Sequence, residues 1–163
     1  MKSDVPEAGT PAAITIPVLI IGYGNSLRSD DGLGWHVAQE LLRIMDSARV
    51  EIISCGQLTA DLAEPISHAG TVLFIDASRE GRHGEIRCQR IIPASGPASL
   101  SHQLSPSGLL ALARELYGTC PEGNLFSLRG QSFGYGESVS PAVADCLPGL
   151  LARIQEFVAH CAK

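Results

Sequence analysis

The sequence has few basic residues and no cluster of them. Only 12 of its 163 residues are Lys or Arg, against 17 Asp or Glu, and the formal net charge is −5 at pH 7. Nucleic-acid binding needs clustered basic side chains that neutralise phosphates, so we expect no nucleic-acid partner. No apolar run approaches the roughly 20 residues that a membrane-spanning helix needs. The N-terminus also lacks the apolar segment of a signal peptide, so we expect a cytoplasmic protein without a membrane partner.

The five cysteines show no disulfide or zinc pattern. Their number is odd, and no two of them form a C-x-x-C pair. A disulfide framework uses an even number of cysteines, and a structural zinc site uses closely spaced pairs. The sequence therefore predicts reduced thiols.

The apolar content is that of a folded domain. Hydrophobic residues make up 45% of the chain, which is sufficient for a core. A chain of this length is expected to form a single domain. Proline and glycine interrupt every pattern in residues 1–15, which we predict to be a flexible tail. The single α/β domain then spans residues 16–163.

Strand-like and helix-like segments alternate after the tail. The continuous apolar runs at residues 17–21 and 71–75 predict strands buried on both faces. The alternating segment 85–91 predicts an edge or antiparallel strand. Two more strands are expected at residues 50–53 and 125–128. With helices between them, these segments predict a three-layer α/β/α sandwich around a mostly parallel sheet of about five strands.

The helices have recognisable boundaries. An apolar stripe over residues 34–45 predicts the first helix. Two Ser-Pro pairs each place a capping serine before proline at the first helical position. We therefore expect helices from Ser105 to Tyr117 and from Ser140 to about His160, the latter kinked by an internal proline. Thr59 is predicted to cap a short helix that runs through Ile66.

The first strand leads into a turn that is rich in glycine and ends in two acidic residues. Ligands bind at such turns in open α/β sheets. Leu27 stands where a dinucleotide-binding fingerprint requires glycine, and the Gly-Lys-Ser/Thr of a P-loop is absent. The carboxylates of Asp30 and Asp31 disfavour phosphate and favour a cation. We expect Asp30 to cap the following helix and Asp31 to project into the cleft. The alternative is that either residue only caps the helix.

Asp76 and His102 are further candidates for the same cleft. Asp76 follows the strand at residues 71–75, and His102 lies on a loop ahead of the helix that begins near Ser105. Taken singly, each has an ordinary alternative, a turn-forming aspartate or a solvated histidine. With Asp31 they form a mixed oxygen and nitrogen set that suits a borderline divalent cation and leaves coordination positions open.

These segments resemble the hydrogenase maturation endopeptidases, the nickel-dependent processing proteases of [NiFe] hydrogenases. Residues 18–34 match the opening pattern of that family, an apolar strand followed by G-x-G-N-x-L-x-x-D-[DE]-G-x-G. The resemblance covers about residues 16–158. Its later parts are the strand that ends at Asp76, His102 with the helix after it, and the segments 138–143 and 147–148.

The resemblance implies an endopeptidase that removes the C-terminal extension of a [NiFe] hydrogenase large-subunit precursor after nickel insertion. It assigns Asp31, Asp76 and His102 as the catalytic and metal-binding residues. Nickel is expected to arrive with the substrate, and zinc or another divalent ion would substitute for it in a crystal. Asn25 and Gln57 are candidate substrate-binding residues, although a loop glutamine that faces water is an equally ordinary reading.

Several alternatives stay open at this point. The same residues fit a metal-dependent hydrolase of another small substrate, or a non-catalytic nickel-site sensor or chaperone. Residues 128–134 depart from the best-known family members, which leaves the hydrogenase subgroup open. The attack could use water polarised by the metal or by a carboxylate. Cys55 is the one thiol predicted near the cleft, and no partner histidine is evident for it.

Overall fold

The computed structural model describes residues 13–46, 48–95 and 104–161. Within them, five strands form one sheet with the order β2-β1-β3-β5-β4. The β1–β2, β1–β3 and β3–β5 pairs are parallel, and β4 lies antiparallel to β5 at one edge. The predicted sheet is therefore confirmed, including its antiparallel edge strand. The strands are β1 (Ile16–Tyr23), β2 (Val50–Cys55), β3 (Ala69–Ser78), β4 (Ile86–Ile91) and β5 (Glu122–Arg129).

Helices cover both faces of this sheet. One hydrophobic cluster joins one face of the sheet to α1 and α4, and a second cluster joins the opposite face to α2 and α3. The predicted three-layer sandwich is confirmed by this arrangement. No helix in the described part of the chain is long and apolar enough to cross a membrane. The helices are α1 (Leu33–Ile44), α2 (Ala63–Ser67), α3 (Pro106–Tyr117) and α4 (Pro141–Cys161), with 3-10 turns at Ser29–Gly32 and Ala60–Leu62.

The apolar run of β1 is buried on both sides. Val18 and Ile20 belong to one cluster, whereas Leu19 and Ile21 belong to the other, and all four side chains are fully buried. Successive side chains of a strand point to opposite faces of the sheet. The continuous run, rather than an alternating one, is thus the signature of a central strand between two helical layers.

The predicted helix boundaries are mostly confirmed. The Ser105 hydroxyl oxygen accepts a hydrogen bond from the Gly108 amide at 3.0 Å, and Gly118, with φ of 72°, ends α3 in the left-handed region. The prediction that Thr59 caps a helix is wrong. Its hydroxyl donates to the Asp61 carboxylate instead of accepting a backbone N–H, and the helix starts through a 3-10 turn.

The start of α1 packs directly against the carboxyl ends of β1 and β3. A Cβ atom on Gly34 would lie 2.1 Å from the carbonyl oxygen of Ile75 and 2.4 Å from that of Tyr23. These neighbours are backbone atoms, which cannot rotate away as a side chain does. The absence of a side chain at residue 34 therefore lets the turn before α1 approach the end of β3.

We expect Gly34→Ala to lower the free energy of unfolding by about 1–3 kcal/mol, the usual cost of overpacking a core. The matched control is Gly56→Ala, because a Cβ atom there meets nothing within 4 Å. Urea unfolding of both variants measures the difference. Equal stability of the two variants would contradict the close approach between α1 and the sheet.

The described chain is tied to the sheet from Thr15 onward. The Thr15 amide donates to the His68 carbonyl oxygen at 3.0 Å, and the Ile16 amide donates to the same oxygen at 3.2 Å. Most of the predicted tail, residues 1–12, lies outside the described residues. Its flexibility stays a prediction.

Candidate functional site

Two of the three predicted site residues line one cavity at the carboxyl edge of the sheet. Asp31 lies in the 3-10 turn after β1, and Asp76 lies in β3, two residues before that strand ends. The cavity has a volume of about 240 Å³. It is lined by Tyr23, Gly24, Asp31, Gly56, Gln57, Leu58, Asp76 and Leu104.

The sheet places Asp76 next to Tyr23. Gly22 of β1 is paired with Ile75 of β3, so the next residue of each strand also stands side by side. The Tyr23 side chain hydrogen-bonds the Asp76 carboxylate. The Ala77 amide donates to Oδ1 of Asp76 at 2.8 Å. Two donors therefore hold this carboxylate at the cavity wall.

Burial raises the pKa of Asp76 to about 6. The hydrogen bonds from Tyr23 and Ala77 oppose this rise, and the negative charge of Asp31 adds to it. Burial and the charge of Asp76 also raise the pKa of Tyr23 far above its usual range, so its hydroxyl stays a donor. Neither Asp31 nor Asp76 forms an ion pair with another described residue. The cavity thus carries negative charge that a cation would compensate.

Asp76 gives the metal-free protein a pH-dependent stability. Its pKa of about 6 exceeds the value of about 3.9 expected in the unfolded chain. The native state therefore holds the proton on Asp76 more tightly, and the contribution of this residue to the free energy of unfolding falls as pH rises from 4 to 6. We expect Asp76→Asn to remove this fall, worth about 2 kcal/mol. Urea unfolding of both proteins in EDTA at pH 4 and pH 8 tests this; parallel pH profiles would contradict it.

Asp31 is held by the turn that precedes it. Its Oδ2 accepts a hydrogen bond from the Asn25 amide at 3.2 Å, and the Asn25 side-chain oxygen accepts from the Leu27 amide at 3.0 Å. Asn25 and Gln57, the predicted substrate-binding residues, are both exposed and line a second cavity that also contains Asp31 and Trp35. The structure therefore brings the two polar side chains to the same edge as the carboxylates. Their contact with a substrate stays a prediction.

Asp30 has a different role from the one predicted. It is fully buried, and it does not cap a helix. Its Oδ2 accepts from the amides of Gln131 and Ser132, both at 2.8 Å, and from the Ser140 hydroxyl at 2.8 Å. Its Oδ1 accepts from the Ser140 amide at 2.6 Å. The capping prediction is wrong because a distant loop lies over the turn and supplies these donors.

The Asp30 carboxylate stays charged despite its burial. Burial alone would raise its pKa, but hydrogen bonds from Ser132, Ser140 and Gln131 outweigh that effect and lower the pKa below its ordinary value. Asp31 faces a cavity, whereas the carboxylate oxygens of Asp30 accept hydrogen bonds from within the protein. Two adjacent aspartates thus have separate tasks.

His102 lies outside the described residues, so its predicted place beside the two carboxylates rests on the sequence. Leu104, two positions later, does line the cavity. Among residues 13–46, 48–95 and 104–161, no three His, Cys, Asp or Glu side chains group into a metal site. A three-ligand site built on Asp31 and Asp76 therefore needs a ligand from beyond this set.

Cys55 stands beside Tyr23 in the register of β1 and β2. Burial raises the pKa of its thiol, and the charge of Asp61 raises it further. The thiolate is the nucleophilic form of cysteine, and this environment disfavours it. The structure therefore gives Cys55 none of the activation that a nucleophilic cysteine requires.

Tyr23 is the site residue that the sequence reasoning missed. The alternation of side chains along a strand could have predicted it. Ile21 and Tyr23 lie on one face of β1, and Phe74 and Asp76 lie on the same face of β3. Neighbouring parallel strands place the last members of these two series together. Leu58 and Leu104, which also line the cavity, gave no comparable signal.

The fold is that of hydrogenase maturation proteases. The chain is similar to the [NiFe] hydrogenase maturation protease HycI from Thermococcus kodakarensis KOD1, with 24% identity, 95% of this chain and 94% of that chain covered, and a TM-score of 0.68. It is similar to the hydrogenase maturating endopeptidase HybD from E. coli, with 21% identity, coverage of 88% and 92%, and a TM-score of 0.71. A hydrogenase 2 maturation peptidase from a Thaumarchaeota archaeon shows 22% identity, coverage of 87% and 97%, and a TM-score of 0.64.

No protein-family model matches the chain, and no curated protein sequence matches it. The solved structures nevertheless belong to the family that the sequence motifs resemble. The resemblance is therefore confirmed at the level of the fold, over nearly the whole length of this chain and of its structural neighbours.

Proposed function

We propose that this chain is a cytoplasmic hydrogenase maturation endopeptidase. It would remove the C-terminal extension of a [NiFe] hydrogenase large-subunit precursor once nickel has been inserted. The observation that carries the proposal is the meeting of Asp31 and Asp76 in one cavity. Both stand at positions where the sequence matches the motifs of that family, and the fold agrees with it.

The donors at this edge fit a nickel ion presented by the substrate. The two carboxylates supply oxygen ligands and concentrate negative charge in the cavity. The imidazole of His102 is the proposed third ligand, and a mixed oxygen and nitrogen set suits a borderline cation. Zinc or another divalent ion would bind the same donors in the absence of substrate.

The residues around the carboxylates have supporting tasks in this proposal. Tyr23 and the Ala77 amide fix the orientation of the Asp76 carboxylate by donating hydrogen bonds to it. Asn25 and Gln57 would contact the peptide backbone near the bond that is cleaved, since both are exposed beside Asp31. These contacts would hold the substrate in one orientation next to the carboxylates. Cleavage would then proceed as an effectively unimolecular step, which lowers its entropic barrier.

The test is a cleavage assay on a [NiFe] hydrogenase large-subunit precursor that carries its C-terminal extension. Nickel-loaded and nickel-free precursor are incubated with the wild type, and the products are identified by intact mass. We expect a C-terminal peptide to be released only from the nickel-loaded precursor. His102→Ala is expected to abolish the release, which would place this residue in the site on functional grounds.

The other outcomes point to the alternative functions. Binding of the precursor without cleavage would identify a nickel-site sensor or chaperone. Cleavage that ignores nickel would mean that the chain carries its own metal or needs none. A stable divalent ion in the purified protein, together with no action on the precursor, would favour a hydrolase of another small substrate.

A further inference from the structure

A long loop beside the candidate site is fixed by a buried charge. Residues 131–140, which we call the anchored loop, connect β5 to α4. The Asp30 carboxylate accepts four hydrogen bonds from its two ends, at Gln131, Ser132 and Ser140. Burial of a carboxylate is costly unless it is fully hydrogen-bonded, as this one is. The buried charge of Asp30 thus orders an exposed loop.

Ser29 fixes the middle of the anchored loop. Its amide donates to the Gly136 carbonyl oxygen at 2.8 Å, and its hydroxyl donates to the Gly134 carbonyl oxygen at 3.0 Å. The Gly136 amide in turn donates to the Leu27 carbonyl oxygen at 2.9 Å. Ser29 has φ of 51°, a left-handed conformation that is unfavourable for serine. Such strain persists where the surroundings over-determine it, and it clusters at functional sites.

The anchored loop presents an aromatic ring to solvent. Tyr135 is 94% exposed, although both of its flanking glycines, Gly134 and Gly136, are hydrogen-bonded to Ser29. Phe133 is covered instead by the Arg79 guanidinium, 4.0 Å from its ring centre. Tyrosine is enriched among the residues that dominate binding energy at protein interfaces. A tyrosine on a backbone that is already ordered loses little backbone entropy on binding.

The exposed ring is continuous with the candidate site. Gly136, the residue after Tyr135, forms an isolated β-bridge with Arg28. Leu27, which precedes Arg28, is 49% exposed. Leu27 and Arg28 line the cavity that also contains Asp31. Tyr135 itself lines neither this cavity nor the one that contains Asp76. It can therefore contact only a surface that arrives from outside the cavities.

We propose that the anchored loop, through Tyr135 and the adjoining Leu27, is the docking surface for the folded body of the protein substrate. This inference rests on the proposed function, and it specifies the surface that binds the body of the substrate. The segment that is cleaved enters the cavities, while the body of the same protein packs against the loop. Because Tyr135 stands outside the cavities, it affects affinity rather than the chemical step.

The experiment compares Tyr135→Ala with the matched control Tyr117→Ala in the cleavage assay. Tyr117 is also exposed, at the end of α3 and shortly before the first residue of β5, whereas the candidate site lies at the carboxyl ends of the strands. We expect Tyr135→Ala to raise KM for the precursor about tenfold with kcat within about twofold of the wild type. Tyr135→Phe should restore the wild-type KM, because the ring supplies the contact area. Tyr117→Ala should change neither constant.

Each other result overturns a defined statement. A wild-type KM for Tyr135→Ala, an equal rise for Tyr117→Ala, or a loss in kcat alone would overturn the docking surface and leave the endopeptidase intact. Failure of the wild type to cleave would overturn the proposed function first. Self-association of the free chain that Tyr135→Ala abolishes, measured by sedimentation, would identify a second copy as the occupant and overturn the assignment to substrate.

Discussion

Asp76→Asn is expected to lower kcat/KM for the nickel-loaded precursor by about a thousandfold or more. Asparagine has nearly the shape of aspartate and still accepts the hydrogen bond from the Ala77 amide. It removes one of the two negative charges that face the cavity with Asp31. On the proposed function, a cation presented by the substrate would lose both a ligand and the charge that balances it, so the loss is electrostatic rather than structural. Intact-mass detection of the released peptide measures the effect.

The controls separate chemistry from folding. Asp145→Asn makes the same change on the exposed surface of α4 and should leave cleavage unchanged. Asp31→Asn should match the loss in Asp76→Asn, because both carboxylates face the same cavity. The Asp76→Asn protein should be at least as stable as the wild type at pH 8, since burial penalises its charge. Cleavage by Asp76→Asn within tenfold of the wild type would remove Asp76 from the catalytic role.

The sheet was predictable because its signals are local. The apolar run of β1 is continuous because both faces of the strand are covered, whereas β4 mixes polar and apolar residues, lies at the edge of the sheet and has three of its six residues exposed. The Ser-Pro pair before α3 and the glycine after it also predicted where that helix begins and ends. The position of Asp76 near the carboxyl end of a central strand followed from the same pattern. Each of these features is decided by neighbours within a few residues along the chain.

The role of Asp30 was not predictable, because its partners are distant in sequence. The donors on Gln131, Ser132 and Ser140 lie between 101 and 110 positions away. Nothing in the local sequence distinguishes an aspartate that caps a helix from one that accepts bonds from a remote loop. The capping prediction for Thr59 was wrong for a local reason instead, since its hydroxyl donates to the Asp61 carboxylate two positions along the chain. A polar residue in the sequence indicates that a hydrogen-bond partner is needed, but for Asp30 the tertiary fold determines which residues supply it.

Asp30→Asn is expected to lower the free energy of unfolding by about 3–5 kcal/mol. The substitution leaves no cavity, so the effect reports the lost charge and the lost acceptor. An asparagine would place an NH₂ group against donors on Gln131, Ser132 and Ser140, so buried N–H groups would remain unsatisfied. Urea unfolding at pH 7 measures the change.

The neighbouring residue provides the control, since Asp31→Asn makes the same chemical change one position along and should cost far less stability. The pH dependence provides a second criterion. The pKa of Asp30 is lowered in the native state, so its contribution is present above the unfolded value of about 3.9 and is lost as pH falls through the lower native pKa. The wild type should therefore lose its advantage over Asp30→Asn in acid. A constant difference down to pH 2 would show that packing, rather than the charge of Asp30, holds the anchored loop in place.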